Sequence, residues 1–131
     1  MSRILQPPGW KRPKGYANGI EASGRMIFTA GIVGWNAEER FESHTLTGQF
    51  RQVLHNTLAI LAEAGAGPEH IVRMSWYITD RDEYLREQKA MGQIWKEIIG
   101  PHYPAMACVQ VIALIEEMAK IEIETIAVAP Q

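Results

Sequence analysis

The residues of this chain that could carry chemistry are few, and two of them lie in its last quarter. Cys108 is the single cysteine, so its thiol cannot form an internal disulfide and is the one candidate for a nucleophilic thiolate. Glu122 stands between two isoleucines, where a carboxylate that faces an interface needs a partner or a function. A thiol and a carboxylate on adjacent strands of a hairpin would indicate a site. An apolar core cysteine and a solvated glutamate are the alternatives.

Other kinds of catalytic site are not indicated by the sequence. The histidines are scattered along the chain, with neither the spacing of metal ligands nor a positioned base for serine catalysis. No glycine-rich phosphate loop of the nucleotide-binding types occurs. We therefore expect no metal site. The histidines are His44, His55, His70 and His102.

Length and composition favour one domain, residues 1–131, with its own core. The chain has 131 residues, of which 47% are hydrophobic and 21% charged, and this excludes a disordered chain, a collagen-like chain and a coiled coil. A net charge of -2 gives no general attraction to nucleic acid or to anionic membranes. No apolar run reaches the length of a membrane span, and residues 1–8 contain no apolar run of signal-peptide length. We expect a soluble cytoplasmic protein.

A basic, proline-rich arm is predicted over residues 1–14. Prolines fix φ and remove backbone donors, so this segment should be extended and not helical. Its positive charges and Trp10 could serve nucleic-acid or membrane binding. We favour an exposed arm that packs Trp10 on the body of the domain.

Two helices are indicated by apolar residues at helical spacing. The first covers residues 46–64, with Thr45 as the candidate N-cap. The second follows Asp80, which with Glu83 predicts a capping box, and it stops at Gly100.

Five further segments are predicted to be strands, and Gly31 within the second marks a bulge or a close approach to the backbone. The order β-β-α-β-α-β-β predicts an α+β domain with two helices packed on one face of a mixed sheet. The other face should mix Tyr77 and Glu122 with apolar neighbours such as Ile112 and Leu114. Such a face favours burial against other subunits, hence a homo-oligomer. The segments are residues 16–23, 26–33, 71–79, 107–115 and 119–129.

Six stretches of the chain match, in the same order, the motifs of one known family: residues 15–19, 26–31, 49–65, 71–80, 103–109 and 120–127. Over about residues 14–129 the chain thereby resembles the Rid family (reactive intermediate/imine deaminase, also called YjgF). The resemblance implies a chorismate-mutase-like fold that forms a homotrimer, with active sites in clefts between subunits. It also implies hydrolysis of enamines and imines, such as 2-aminoacrylate, to a keto acid and ammonia, without a metal or organic cofactor.

The resemblance also implies roles for individual residues. Glu122 matches the family's catalytic carboxylate, which positions water. Tyr16, Gly31 and Cys108 match residues that line the substrate pocket.

One position departs from the family pattern. Met106 stands where the family has an arginine that clamps the substrate carboxylate, and a methionine can neither donate a hydrogen bond nor neutralise charge. Loss of such a pair costs on the order of 2–5 kcal/mol, or roughly 30- to several-thousand-fold. Met106 would instead make the pocket wall more apolar. Lys14 and Arg73 are the candidates for a replacement cation.

Three functions follow from these observations. We favour hydrolysis of a small imine, enamine or related metabolite that is not the family's standard substrate. The alternative is a trimer that binds a small metabolite, or regulates a partner enzyme, without catalysis. An endoribonuclease or translation inhibitor is least favoured, because basic density is confined to residues 3–14. We expect no membrane or nucleic-acid partner.

Overall fold

Apolar residues three and four positions apart form the two long helices. A computed structural model describes residues 2–131 of the chain. Helix α1 spans Leu46–Glu63 and begins at Thr45, whose hydroxyl accepts a hydrogen bond from the Gly48 N–H at 3.0 Å. Helix α2 spans Arg81–Ile98 and follows Asp80. Both predicted N-caps are confirmed.

Strands pair into two sheets within residues 2–131. The strands are β1 Ser2–Leu5, β2 Gly19–Ala22, β3 Arg25–Phe28, β4 Ile32–Val33, β5 Ile71–Ile78, β6 Ala105–Gln110 and β7 Ile121–Ala129. Strands β1 and β2 form an antiparallel pair, and the others form a five-stranded mixed sheet in the order β3-β7-β5-β6, with β4 also paired to β7. Two helices cover one face of this sheet, as predicted.

The start of the arm belongs to the smaller sheet. Strand β1 pairs with β2, and Arg3 forms an exposed ion pair with Glu21 at 3.0 Å. The expectation that Trp10 packs on the body is wrong, because 63% of this residue is exposed. The Gln6 side chain donates to the Trp10 carbonyl at 3.0 Å, which holds the backbone of Trp10 while its ring faces solvent.

Half of the predicted capping box is formed at α2. The Asp80 side chain accepts from the Glu83 N–H at 3.0 Å. The Glu83 carboxylate accepts instead from the Lys120 ammonium at 2.9 Å. This contact ties the first turn of α2 to the residue that precedes β7.

The predicted hairpin of residues 107–115 and 119–129 is wrong. Strand β6 ends at Gln110 and runs parallel to β5, while β7 runs antiparallel to β5 on its other side. Since α2 connects β5 to β6, a right-handed crossover places these two strands side by side and in parallel. Residues 111–120 form an irregular connection in which Ile112 and Ile115 are fully exposed.

A buried glutamine holds the end of this connection. Gln49 of α1 is 0% exposed, and its carbonyl accepts from the Lys120 N–H at 2.7 Å. Its amide donates to the carbonyls of Met118 at 2.9 Å and Ser43 at 3.2 Å. All of the side chain's polar atoms are therefore bonded, as a buried amide requires.

The sheet face away from the helices is mixed in character, as predicted. Tyr77 donates from its hydroxyl to the Glu124 carboxylate at 2.6 Å. This bond raises the pKa of the Tyr77 phenol, because the carboxylate stabilises the protonated form. Phe28 on the edge strand is 63% exposed. Ile112 and Leu114, which we expected on this face, belong instead to the irregular connection.

Candidate functional site

A cavity of about 680 Å³ lies between α2, the β5–β6 edge of the sheet and residues 14–16. Helix α2 forms one wall, because its lining residues recur at helical spacing and share one face. Those residues are Tyr84, Gln88, Met91, Gly92, Trp95 and Lys96.

Aromatic rings form the floor of the cavity. Trp76 of β5 packs against Phe50 from the core, with ring centres 5.0 Å apart, and against Trp95 of α2 at 6.0 Å. Trp95 stacks in turn on Tyr103 at 6.1 Å. The Trp95 indole N–H donates to the His102 carbonyl at 3.2 Å, so its one polar atom is satisfied.

The segment before β2 closes the cavity on the side opposite α2. The Ala17 N–H donates to the Pro104 carbonyl at 2.9 Å, and Ala17 bridges Ala105 as a short parallel pair. These bonds hold Tyr16 beside the start of β6, where it lines the cavity. Tyr16 is 41% exposed, so its ring stands at the cavity mouth.

Three of the predicted site residues lie together in this cavity. Tyr16, Met106 and Cys108 all line it. The strand register explains the last two, since Met106 pairs with Met74 and Cys108 with Trp76. Paired residues share a face of the sheet, so both side chains face the helices.

The thiol of Cys108 is not activated. Burial raises the pKa of this thiol, and a hydrogen bond from Tyr84 offsets only part of that effect. A raised pKa keeps the thiol protonated at neutral pH, whereas a nucleophilic cysteine needs the thiolate. This environment favours Cys108 as a wall residue.

The other two predicted site residues lie on the opposite face of the sheet. Glu122 pairs with Tyr77, while its neighbour Ile123 pairs with Trp76 and faces the helices. A Cβ atom placed on Gly31 would lie 2.1 Å from a Glu122 carboxylate oxygen. The predicted close approach to the Gly31 backbone is therefore confirmed, and the approaching group is this carboxylate.

The predicted strand over residues 26–33 is interrupted near this point. Strand β3 ends at Phe28 and β4 begins at Ile32. The Thr29 hydroxyl accepts a hydrogen bond from the Thr125 N–H of β7 at 3.0 Å. At this point a side-chain oxygen therefore takes the place of a backbone carbonyl in the pairing with β7. The irregular turn through Gly31 leaves space for the Glu122 carboxylate.

One copy of the chain therefore holds two groups of predicted site residues, separated by the sheet. Of the two candidate replacement cations, Lys14 lines the cavity with Met106. Arg73 is exposed on the opposite face, beside Ile126. Our sequence reasoning missed a second cavity lysine, Lys96. Its spacing of four and eight residues from Gly92 and Gln88, along one face of α2, could have shown it.

Together the fold and the cavity define an α+β domain with a ligand-sized site at the boundary between helix and sheet. Within residues 2–131, no cluster of metal-ligating side chains is found, and no helix is long and apolar enough to cross a membrane. The sequence profile described as Endoribonuclease L-PSP matches residues 10–129. The chain belongs to this family, which is the Rid (YjgF) family that its motifs resemble.

Relatives and solved structures agree with this assignment. The chain is 31% identical to Escherichia coli TdcF, named as a candidate reactive intermediate deaminase, over 98% of both chains. It is 30% identical to the RutC family protein slr0709 of Synechocystis, over 98% of this chain and 97% of that one. The Rid protein YyfB from Yersinia pestis superposes with a TM-score of 0.86 at 30% identity, over 98% of both chains. E. coli TdcF with bound serine superposes at 0.68, with 30% identity, over 97% of this chain and 98% of that one.

Proposed function

We propose that this chain hydrolyses a small imine, enamine or related compound in a cleft that a second copy completes within a homotrimer. The observation that carries the proposal is the separation of the site residues by the sheet. The cavity with Tyr16 and Met106 offers a binding surface, and the opposite face offers Glu122 beside Gly31. Contact between the cavity of one copy and the open face of another would unite them. The relationship to TdcF, named as a candidate deaminase and solved with serine bound, supports a substrate derived from an amino acid.

The reaction needs one group that orients a water molecule and transfers its protons. The water oxygen bonds to the imine carbon, and a proton passes to the imine nitrogen. The second water proton then moves from oxygen to nitrogen as the carbon–nitrogen bond breaks, which leaves a carbonyl product and ammonia. An enamine first takes a proton on its β-carbon and gives up one from nitrogen, which converts it to the imine. In this proposal Glu122 orients the water and relays the protons between oxygen and nitrogen.

Met106 sets this chain apart from the family's standard deaminases. Within residues 2–131, no arginine lines the cavity that contains Met106, so a substrate carboxylate would lack a bidentate partner there. We therefore propose that 2-aminoacrylate is not the main substrate.

The test is imine hydrolysis, with imines generated in solution from several amino acids by an amino-acid oxidase. Release of ammonia or keto acid is followed for the wild-type protein and for Met106→Arg. Activity in the wild type supports the proposal, and a shift of Met106→Arg toward the smallest imino acids supports the role of Met106. If neither protein exceeds the spontaneous rate with any imine or enamine, hydrolysis is not the function.

The role of Glu122 has its own test. Glu122→Gln keeps the shape of the side chain and should lower kcat by about 10²- to 10⁴-fold, the usual contribution of a positioned acid–base group. Glu124→Gln is the matched control, since Glu124 lies on the same strand face and bonds to Tyr77. If Glu122→Gln and Glu124→Gln both keep the activity of the wild-type protein, Glu122 has no part in the mechanism.

The homotrimer is tested by light scattering. We expect three times the 14.7 kDa mass of one chain. A monomer at the concentration where the protein is active would contradict a shared site.

Binding without turnover is the second candidate function, and Met106 is the observation that favours it. A site that has lost its anion clamp can still hold a metabolite. In that case a ligand should raise the melting temperature of the protein while no imine is consumed. RNA cleavage is not proposed, because basic density is confined to residues 3–14 of the sequence.

A further inference from the structure

The volume of the cavity exceeds the needs of a three-carbon substrate. About 680 Å³ falls within the range of roughly 300–1,000 Å³ that is typical of sites for drug-sized ligands. A compound such as 2-aminoacrylate would fill only a small part of the volume that one copy of the chain offers, before a second copy covers it. The cavity therefore suits a substrate with a larger side chain.

The floor of the cavity is apolar and polarisable. Trp76 and Trp95 are 7% and 5% exposed, so a small part of each residue is accessible while the rest is packed in the core. Met91 and Met106 complete this surface from the helix and the strand. Aromatic edges and thioethers make favourable contacts with flat rings and with long aliphatic groups.

The mouth of the cavity is positive. Lys14 and Lys96 both line it, and no acidic residue among residues 2–131 does. Both lysines are exposed, and within residues 2–131 neither of them takes part in an ion pair. A smaller cavity of about 350 Å³ adjoins this one across Tyr16 and is lined by a further cation, Arg12. Free ammonium groups over an apolar floor attract an anion whose other end is apolar.

We infer that this cavity selects amphipathic anions, namely imino or enamino acids with an aromatic or long apolar side chain and the keto acids formed from them. The inference rests on the function proposed above and names its substrate class. In it the side chain lies on the Trp76–Trp95 floor, and Lys14 and Lys96 hold the carboxylate as point charges. The reaction that supplies such a substrate is the oxidation of an aromatic or large apolar amino acid at its α-carbon.

Binding of stable keto acids tests the ligand class without any turnover. Calorimetric titration would compare phenylpyruvate with pyruvate, which lacks the ring, and with phenylacetone, which lacks the charge. We expect phenylpyruvate to bind at least tenfold more tightly than either. Equal affinity for pyruvate and phenylpyruvate would overturn the role of the apolar floor.

The lysines are tested by the double variant Lys14→Gln/Lys96→Gln. Each exposed charge contact contributes a factor of about two to five, so loss of both should lower the affinity for phenylpyruvate about 4- to 25-fold. Affinity for phenylacetone should not change. The matched control is Lys11→Gln/Lys89→Gln, which removes two exposed lysines from the same arm and helix that do not line the cavity. Equal affinity of the two double variants for phenylpyruvate would refute the anion site.

Cys108 reports where the ligand binds. It lines the cavity and is the only cysteine of the chain, so phenylpyruvate should slow its alkylation by iodoacetamide at least threefold at saturation. If a saturating concentration of phenylpyruvate leaves the alkylation rate of Cys108 unchanged, the ligand binds elsewhere and the inferred binding site is wrong.

Hydrolysis assays separate this inference from the proposed function. If phenylpyruvate binds as expected but the imine of phenylalanine decays at the spontaneous rate, the ligand class stands and hydrolysis fails. If the imine of alanine is hydrolysed faster than that of phenylalanine, hydrolysis stands and the inferred substrate class is wrong.

Discussion

Replacing Gly31 by alanine should displace the Glu122 carboxylate while the fold stays intact. The new Cβ would lie 2.1 Å from the Glu122 Oε2 atom and 2.8 Å from its Cδ atom. Ordinary van der Waals contact begins at 3.4 Å, so the carboxylate oxygen must retreat by about 1.3 Å. The displaced atoms form the free end of a flexible side chain, which can turn away.

The expected costs differ for stability and for rate. Gly31 is not among the positive-φ glycines within residues 2–131, so its backbone accepts an alanine, and the free energy of unfolding should change by less than about 1 kcal/mol. A displacement of about 1 Å in a positioned group can lower a rate roughly 10²-fold. We therefore expect kcat for imine hydrolysis to fall about 10- to 100-fold in Gly31→Ala.

The assay measures kcat with oxidase-generated imines and the melting temperature by circular dichroism. Gly19→Ala is the control, because a Cβ atom there meets the Leu5 side chain at an ordinary 3.5 Å. A folded Gly31→Ala protein with unchanged kcat would refute the reasoning, since Glu122 would then have moved without consequence. A large loss of stability would show that the Gly31 turn is packed more rigidly than the contacts indicate.

Two further predictions concern stability and reactivity. Gln49→Met should destabilise the protein by about 3–5 kcal/mol in chemical denaturation, because three partly buried backbone groups lose their partner and each costs about 1–3 kcal/mol where it stays buried. Gln52→Met, which loses a bond to the Asn56 side chain, should cost under about 0.5 kcal/mol. Equal costs of the two variants would contradict the role of Gln49. Since burial raises the pKa of Cys108, its alkylation at pH 8 should be slower in the folded than in the urea-unfolded chain, and the stability linked to this thiol should be lost as pH rises through its folded pKa. Equal alkylation rates in the two states would contradict that shift.

The helices and the central strand could be predicted because their information is local. Thr45 and Asp80 cap the helices as predicted, and β5 ends one residue before the predicted end of its segment. Strand pairing is not local. The alternating pattern of residues 107–115 and 119–129 is as compatible with a hairpin as with two strands that do not pair. Only the crossover through α2 places β5 between them.

The arrangement of the site residues could not be predicted for the same reason, since it also depends on how the strands pair. Alternation within one strand shows which residues share a face, but the relative phase of two strands depends on their register. The sequence therefore pointed to Cys108 and Glu122 together, whereas the register places them on opposite faces. Gly31 was predicted correctly as a point of close approach, because a glycine inside an apolar strand often marks a place where another group comes close to the backbone.

This opposition of faces has a consequence for how the protein can evolve. The residues that would select a ligand, such as Met106 and Trp95, pack with the helices, whereas Glu122 lies on the other face of the sheet. Substitutions in the cavity can therefore accumulate without changing the contacts that Glu122 makes within its own copy of the chain. Related proteins with this sheet could therefore change their ligands through small substitutions in the helix-facing layer, while the carboxylate on the other face is kept.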